Sequence, residues 1–143
     1  MARRQFDDFF RRVVDDLNAI RARFALIGGL AISLRAMPRT TEDVDSSGLE
    51  PEIARDATLI RLFGRSVPVA SLPHLVALKI LSQSPARQQD LEDLRGLLGV
   101  ATKGDIDETR AALALITARR CARGKNLEDR LVALLRRYRP DCR

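Results

Sequence analysis

Apolar residues near the start of the chain recur at three- and four-residue steps: Phe6, Phe9, Phe10, Val13, Val14, Leu17 and Ile20. That spacing predicts an amphipathic helix with one broad apolar face. A short apolar run, Phe24-Ala25-Leu26-Ile27, is cut off by Gly28-Gly29 and reads as a buried strand entering a tight turn. A second, short helix over residues 30–35 is stopped by Met37-Pro38. Residues 40–45 then alternate as a strand does, with Thr41, Asp43 and Asp45 on one face and Val44 on the other. After a loop at Ser46-Ser47-Gly48, residues 51–62 read as helix, giving way at Gly64 to a brief extended piece over residues 67–70.

The second half reads as helical. Ser71 is placed to cap a helix that has Pro73 in its first turn and Leu75, Leu78, Ile80 and Leu81 on its apolar face, up to the break at Ser84-Pro85. Leu91, Leu94, Leu97 and Leu98 mark the next helix, ending near Gly99. Asp105 with Glu108 three residues on is a capping-box-like start for a helix through Ala118, and Asn126 caps a last one carrying Leu127, Leu131, Leu134 and Leu135. The expected class is α+β: a small mixed sheet with flanking helices over residues 1–70, then a helical part over residues 71–143.

Composition narrows the class of protein. With 45% hydrophobic and 31% charged residues, the balance is that of a globular chain with a core rather than a disordered or fibrous one. No apolar run approaches the roughly 20 residues that span a bilayer, and acids sit early, at Asp7 and Asp8, where a signal peptide would be apolar. A cytoplasmic protein without a membrane partner is the expectation. Cys121 and Cys142 make no disulfide framework. The net charge of +6 favours a polyanion such as RNA, yet the basic residues are interspersed with acids except at residues 119–123 and 136–139, and aromatics at 4% argue against a base-stacking platform.

The candidate chemistry lies in residues 24–45, which join a strand, a glycine turn, a helix and an acidic strand. Glycines at a strand end let backbone approach a phosphate, and a helix starting there aims unpaired N–H groups at the same anion. Two carboxylates at i and i+2 on a strand project from one face, so Asp43 and Asp45 can both offer oxygen ligands to Mg2+, with substrate phosphates completing its shell.

This order, strand, Gly-Gly, helix, then Arg39-x-Thr41-x-Asp43-x-Asp45, resembles the signature of the DNA polymerase beta-like nucleotidyltransferase superfamily, in the branch of AbiEii-type toxins and minimal nucleotidyltransferases. Residues 67–79 look like that family's entry into its helical region, and residues 87–94 like the helix after it; the likeness covers residues 6–138 discontinuously. It implies transfer of a nucleoside monophosphate from a nucleoside triphosphate to a hydroxyl on RNA, such as tRNA, or on a partner protein, with magnesium. Gly28 and Gly29 would then cradle the phosphates, Asp43 and Asp45 would ligate metal and carry catalysis, Arg39 and Thr41 would position the nucleotide, and Lys79 would contact the triphosphate.

The family's third carboxylate strand has no counterpart here. Residues 46–53 look like the segment that normally comes after that strand, so the simplest history is an internal deletion, which leaves a shortened sheet that would survive by dimerising, as a homo-oligomer, or by repacking. Glu50, Glu52 and Asp56 are candidate replacements, each reading better as an ordinary surface acid. His74 reads as a packing or capping residue, Lys79 otherwise as a lysine reaching solvent, and Asp90 and Asp93 as helix-surface partners of Arg87 or Arg95. Alternatives to an enzyme are a nucleotide- or RNA-binding or antitoxin-like protein without turnover, and a helical interaction protein.

Overall fold

The computed structural model describes residues 2–35 and 47–142. Its elements are α1 (Ala2–Ala19), α2 (Gly28–Arg35), α3 (Glu50–Asp56), β1 (Thr58–Leu62), β2 (Arg65–Val69), α4 (Leu72–Ser82), α5 (Gln88–Val100), α6 (Lys103–Ala118) and α7 (Leu127–Tyr138), followed by a 3-10 turn, Pro140–Cys142. The class is α+β, mostly helical, with a helical C-terminal region. The expected strand at residues 40–45 and the stop at Met37-Pro38 lie outside the described residues.

Helix α4 is the centre of the packing. Leu75, Val76, Ala77, Ile80 and Leu81 are all buried, and α2, α5, α6 and α7 pack around it. A helix apolar on nearly every side is stable only when enclosed. Ser71 caps it as the sequence predicts, accepting from the His74 amide. Its C-terminal carbonyls, which no helix can satisfy by itself, are taken by cations from further along the chain: Lys125 donates to the carbonyls of Leu81 and Gln83, and Arg130 to that of Gln83. Arg139 does the same for α5, donating to the carbonyls of Leu98 and Ala101 at 2.7 and 2.6 Å.

Capping follows the sequence except at α6. Asn126 accepts from the Asp129 amide at 3.1 Å and starts α7. For α6 the cap is Thr102, and Asp105 is the third helical residue rather than the cap: the Asp105 amide donates to Thr102 Oγ1 at 3.1 Å while Asp105 Oδ2 accepts from the Thr102 amide at 2.7 Å. A hydroxyl cap with an acid three residues later is a reciprocal box, which the Asp105-Glu108 pair would not have closed as well. Helix α5 runs through Gly99 to Val100.

The helix expected over residues 51–62 is shorter. It ends at Asp56, and Thr58–Leu62 is instead a strand, paired antiparallel with Arg65–Val69 in the register Thr58↔Val69, Ile60↔Val67 and Leu62↔Arg65. Phe63 and Gly64 form the two-residue turn, both with positive φ (49° and 79°), the geometry that suits the twist of a tight hairpin. Val67 and Val69 face the core. On the other edge of β2, the Leu26 amide donates to the Pro68 carbonyl at 2.7 Å, and the Ala70 amide donates to the Leu26 carbonyl at 2.9 Å. The strand expected at residues 24–27 is therefore a single isolated parallel bridge, and the sheet among the described residues is two-stranded and antiparallel rather than mixed. Helix α2 then begins at Gly28 itself, two residues earlier than expected.

One apolar cluster runs from Ala31 and Ile32 of α2 through Leu49, Ile53 and Val69 to the leucines of α7. Helix α1 sits on the hairpin, with Val14 buried, Phe6 and Phe10 packed on Phe63, Arg11 donating to the Phe63 carbonyl and Asp15 paired with Arg65 at 2.8 Å. The broad apolar face predicted for it is only partly covered, since Phe6, Phe9, Val13 and Ile20 remain exposed. Among the described residues no helix is long and apolar enough to cross a membrane.

Candidate functional site

The bridge at Leu26 fixes where the next residues go. Because Leu26 is tied to β2, and β2 leads into α4, the start of α2 is laid beside the second half of α4. Between them lies a cavity of about 100 Å³. Among the described residues it is walled by Ile27, Gly28 and Ile32 from the α2 side, by Leu75, Leu78, Lys79, Leu81 and Ser82 from α4, and by Ser47, Arg87 and Arg123. Two of the residues singled out in the sequence, Gly28 and Lys79, are thus brought to one pocket; Gly29 comes next as the second residue of α2 and is buried. Whole ligands of drug size occupy roughly 300–1,000 Å³, so this cavity matches a phosphate-sized group rather than an entire nucleotide.

One lysine and two arginines stand on its walls, the lysine being paired from behind with two buried aspartates. Arg87 and Arg123 come from the α4–α5 and α6–α7 connections, and neither stood out in the sequence as a pocket residue. No local spacing could have flagged them, because only tertiary folding carries them to Gly28.

Lys79 is held in place from behind. Its Nζ lies 2.9 Å from Asp90 Oδ1 and 2.8 Å from Asp93 Oδ2, with side-chain exposures of 16%, 3% and 5% for the three residues. Asp90 and Asp93 are therefore buried partners of Lys79 rather than the helix-surface residues their spacing suggested. They stand three residues apart on the face of α5 turned to α4, where the buried lysine is the cation within reach. Nor does Lys79 run out to solvent. The ammonium donates to Asp90 Oδ1 and pairs electrostatically with Asp93 Oδ2. Asp90 Oδ2 is buried and has no hydrogen-bond partner.

The three acids considered as replacements for a missing carboxylate are each engaged elsewhere. Glu50 accepts from the Ser47 amide at 2.7 Å and from its hydroxyl at 3.3 Å; burial pushes its carboxyl upward, but these bonds prevail and hold it below the usual range. Glu52 makes a two-pronged pair with Arg119, at 2.6 and 2.8 Å, and the guanidinium holds its carboxyl down at about 2. Asp56 is paired with its neighbour Arg55 at 2.7 Å. His74 is buried beside them on the opposite side of α4 from the pocket's lysine, its Nδ1 3.1 Å from Ser71 Oγ and its Nε2 4.0 Å from Asp56 Oδ2; desolvation lowers its pKa. This is the packing and capping role its position in the first turn suggested.

Arg39, Thr41, Asp43 and Asp45 lie outside the described residues. Among the described residues no group of three or more His, Cys, Asp or Glu side chains is arranged to hold a metal ion. Cys121 and Cys142 are free thiols. No known family model matches the chain, and neither does any curated protein.

Proposed function

We propose that this chain is a nucleotidyltransferase-like protein that binds a nucleoside triphosphate with magnesium and passes its nucleoside monophosphate to a hydroxyl on RNA, such as tRNA, or on a partner protein. The observation that carries this reading is the pocket of about 100 Å³ that joins the N-terminus of α2 at Gly28 to the basic side chains Lys79, Arg87 and Arg123. A helix start supplies backbone N–H groups and the positive end of its dipole, and the guanidinium and ammonium groups add charge-assisted donors.

Chain connectivity supports the acid pair as the metal-binding half of the same site. Asp45 precedes Ser47, a pocket-lining residue, by two positions, and two residues span at most about 7 Å. The donor chemistry fits a hard dication: two carboxylates from Asp43 and Asp45, with phosphate oxygens to complete the shell. Magnesium bound there would neutralise charge on the phosphates and on the leaving pyrophosphate. Lys79 would hold the phosphate tail against Gly28 and Gly29, while Arg39 and Thr41 would orient the nucleotide.

A second reading, binding without turnover in an antitoxin-like or RNA-binding role, is favoured by one observation. Glu50, Glu52 and Asp56 are committed to Ser47, Arg119 and Arg55, so none is poised to activate an attacking hydroxyl. Incubation with each labelled nucleoside triphosphate, Mg2+ and total tRNA or a partner protein separates the two. Transfer that vanishes in Asp43→Ala supports the enzyme; saturable ATP binding in calorimetry without transfer supports the second reading. Transfer that persists without Asp43 refutes the site.

A further inference from the structure

The exposed part of α1 carries a pattern that the pocket does not use. Phe6, Phe9 and Val13 are 47%, 64% and 38% exposed, a stripe of large apolar groups beside the face that packs on the hairpin. The helix cannot roll to hide them, because Arg11 and Asp15 tie it to Phe63 and Arg65. Around the stripe the charges come in alternating pairs every four residues: Arg3-Arg4, Asp7-Asp8, Arg11-Arg12 and Asp15-Asp16.

We propose that this stripe docks on α1 of a second copy of the chain, antiparallel, about a two-fold axis passing between Phe9 and Phe10. Antiparallel reversal turns the sequence of charge pairs into its complement. On the exposed flank of the stripe Asp8 comes beside the partner's Arg12 and Arg12 beside the partner's Asp8, while Arg11 and Asp15 stay engaged with the subunit's own hairpin. Phe6 comes level with the partner's Val13, and Phe9 lies at the axis, so the apolar stripe is centred on the same point. A parallel arrangement would stack arginine on arginine and aspartate on aspartate, which is repulsive. The result is an isologous contact in which one surface serves both subunits. A lipid surface fits less well: the helix holds four arginines and four aspartates, so its polar face offers no net charge to anionic headgroups, whereas helices that lie on membranes are usually rich in Lys and Arg.

Sedimentation equilibrium of the full chain tests this. Wild type should show a concentration-dependent monomer–dimer equilibrium, and Phe9→Ser should raise the dimer Kd about 10-fold or more with an unchanged far-UV spectrum, because Phe9 lies outside the core. Asp8→Arg and Arg12→Asp should each be monomeric alone and dimerise when mixed one to one, since each then offers the charge the other lacks at the paired level. A wild-type chain that stays monomeric at its highest soluble concentration overturns the proposal, as does a dimer indifferent to Phe9→Ser. A charge-swapped mixture that remains monomeric overturns the antiparallel register. Wild-type monomers that co-sediment with phosphatidylserine vesicles would assign the stripe to lipid instead and overturn the proposal.

Discussion

Lys79 of α4 places its Nζ 2.8 Å from Asp93 Oδ2 of α5 and also lines the pocket at Gly28, so one side chain joins the buried ion cluster to the phosphate-sized cavity. Removing it takes the ammonium away from two buried carboxylates. Breaking such a cluster from one side costs about 3–5 kcal/mol, so Lys79→Ala should lower the unfolding free energy by that order in urea titrations. Restoring an apolar match with Lys79→Met, Asp90→Leu and Asp93→Leu together should recover most of it. Full stability in Lys79→Ala alone would mean that the cluster contributes little.

Arg123 enters the pocket from the α6–α7 connection, away from the Lys79 cluster. Arg123→Ala should weaken binding of ATP with Mg2+ by about 10-fold, or ~1.4 kcal/mol, beyond any change in the urea midpoint. Calorimetry and a denaturation curve on the same preparation check it. An unchanged ATP affinity would remove Arg123 from the binding surface.

The Glu52–Arg119 pair binds the start of α3 to the end of α6, and its acid is shifted from the ordinary 4.5 to about 2. A carboxyl with a lowered folded-state pKa contributes stability that is present above its unfolded value and is lost as pH falls through the folded one. Wild type should therefore lose stability more steeply than Glu52→Gln between pH 4.5 and 2, and the two curves should run parallel above that window. Thermal melts across the range measure it.

Two glycines with positive φ should differ in their tolerance of alanine. At Gly64 (φ +79°) an added Cβ meets nothing within 4 Å, so the cost is the left-handed backbone alone, about 1–2 kcal/mol. At Gly48 (φ +75°) the same atom would lie 2.8 Å from Cys121 Sγ. Gly48→Ala should cost about 1–3 kcal/mol more than Gly64→Ala, and adding Cys121→Ala should return most of that excess. Equal costs in urea titrations would show that Cys121 moves aside freely.

Much of the helical half was legible from local signals. The spacing of Leu127, Leu131, Leu134 and Leu135, and the caps Ser71 and Asn126, are decided within a few residues, and those elements stand where the sequence put them. The hairpin was not legible, because Ile53, Ala57 and Ile60 also suit a helix; what makes Thr58–Leu62 a strand is its ladder to Val67 and Val69. The pairing of Lys79 with Asp90 and Asp93 hid for the same reason: on α5 alone, an arginine is the nearer partner in sequence. Of the candidate site, Gly28 and Lys79 do meet, yet Arg87 and Arg123 could be found only once the chain had folded around them.

The cations that finish α4 have a consequence for the order in which the molecule is made. Lys125 and Arg130 close the carbonyls of Leu81 and Gln83, immediately beyond the turn that bears Lys79. A nascent chain that has emerged only as far as α6 holds the glycines and the lysine but lacks these two clamps, so that last turn frays. The wall of the cavity at Gly28 is completed only when the ribosome has released the beginning of the final helix, and shortening the chain from its far end should loosen a wall laid down some forty residues earlier.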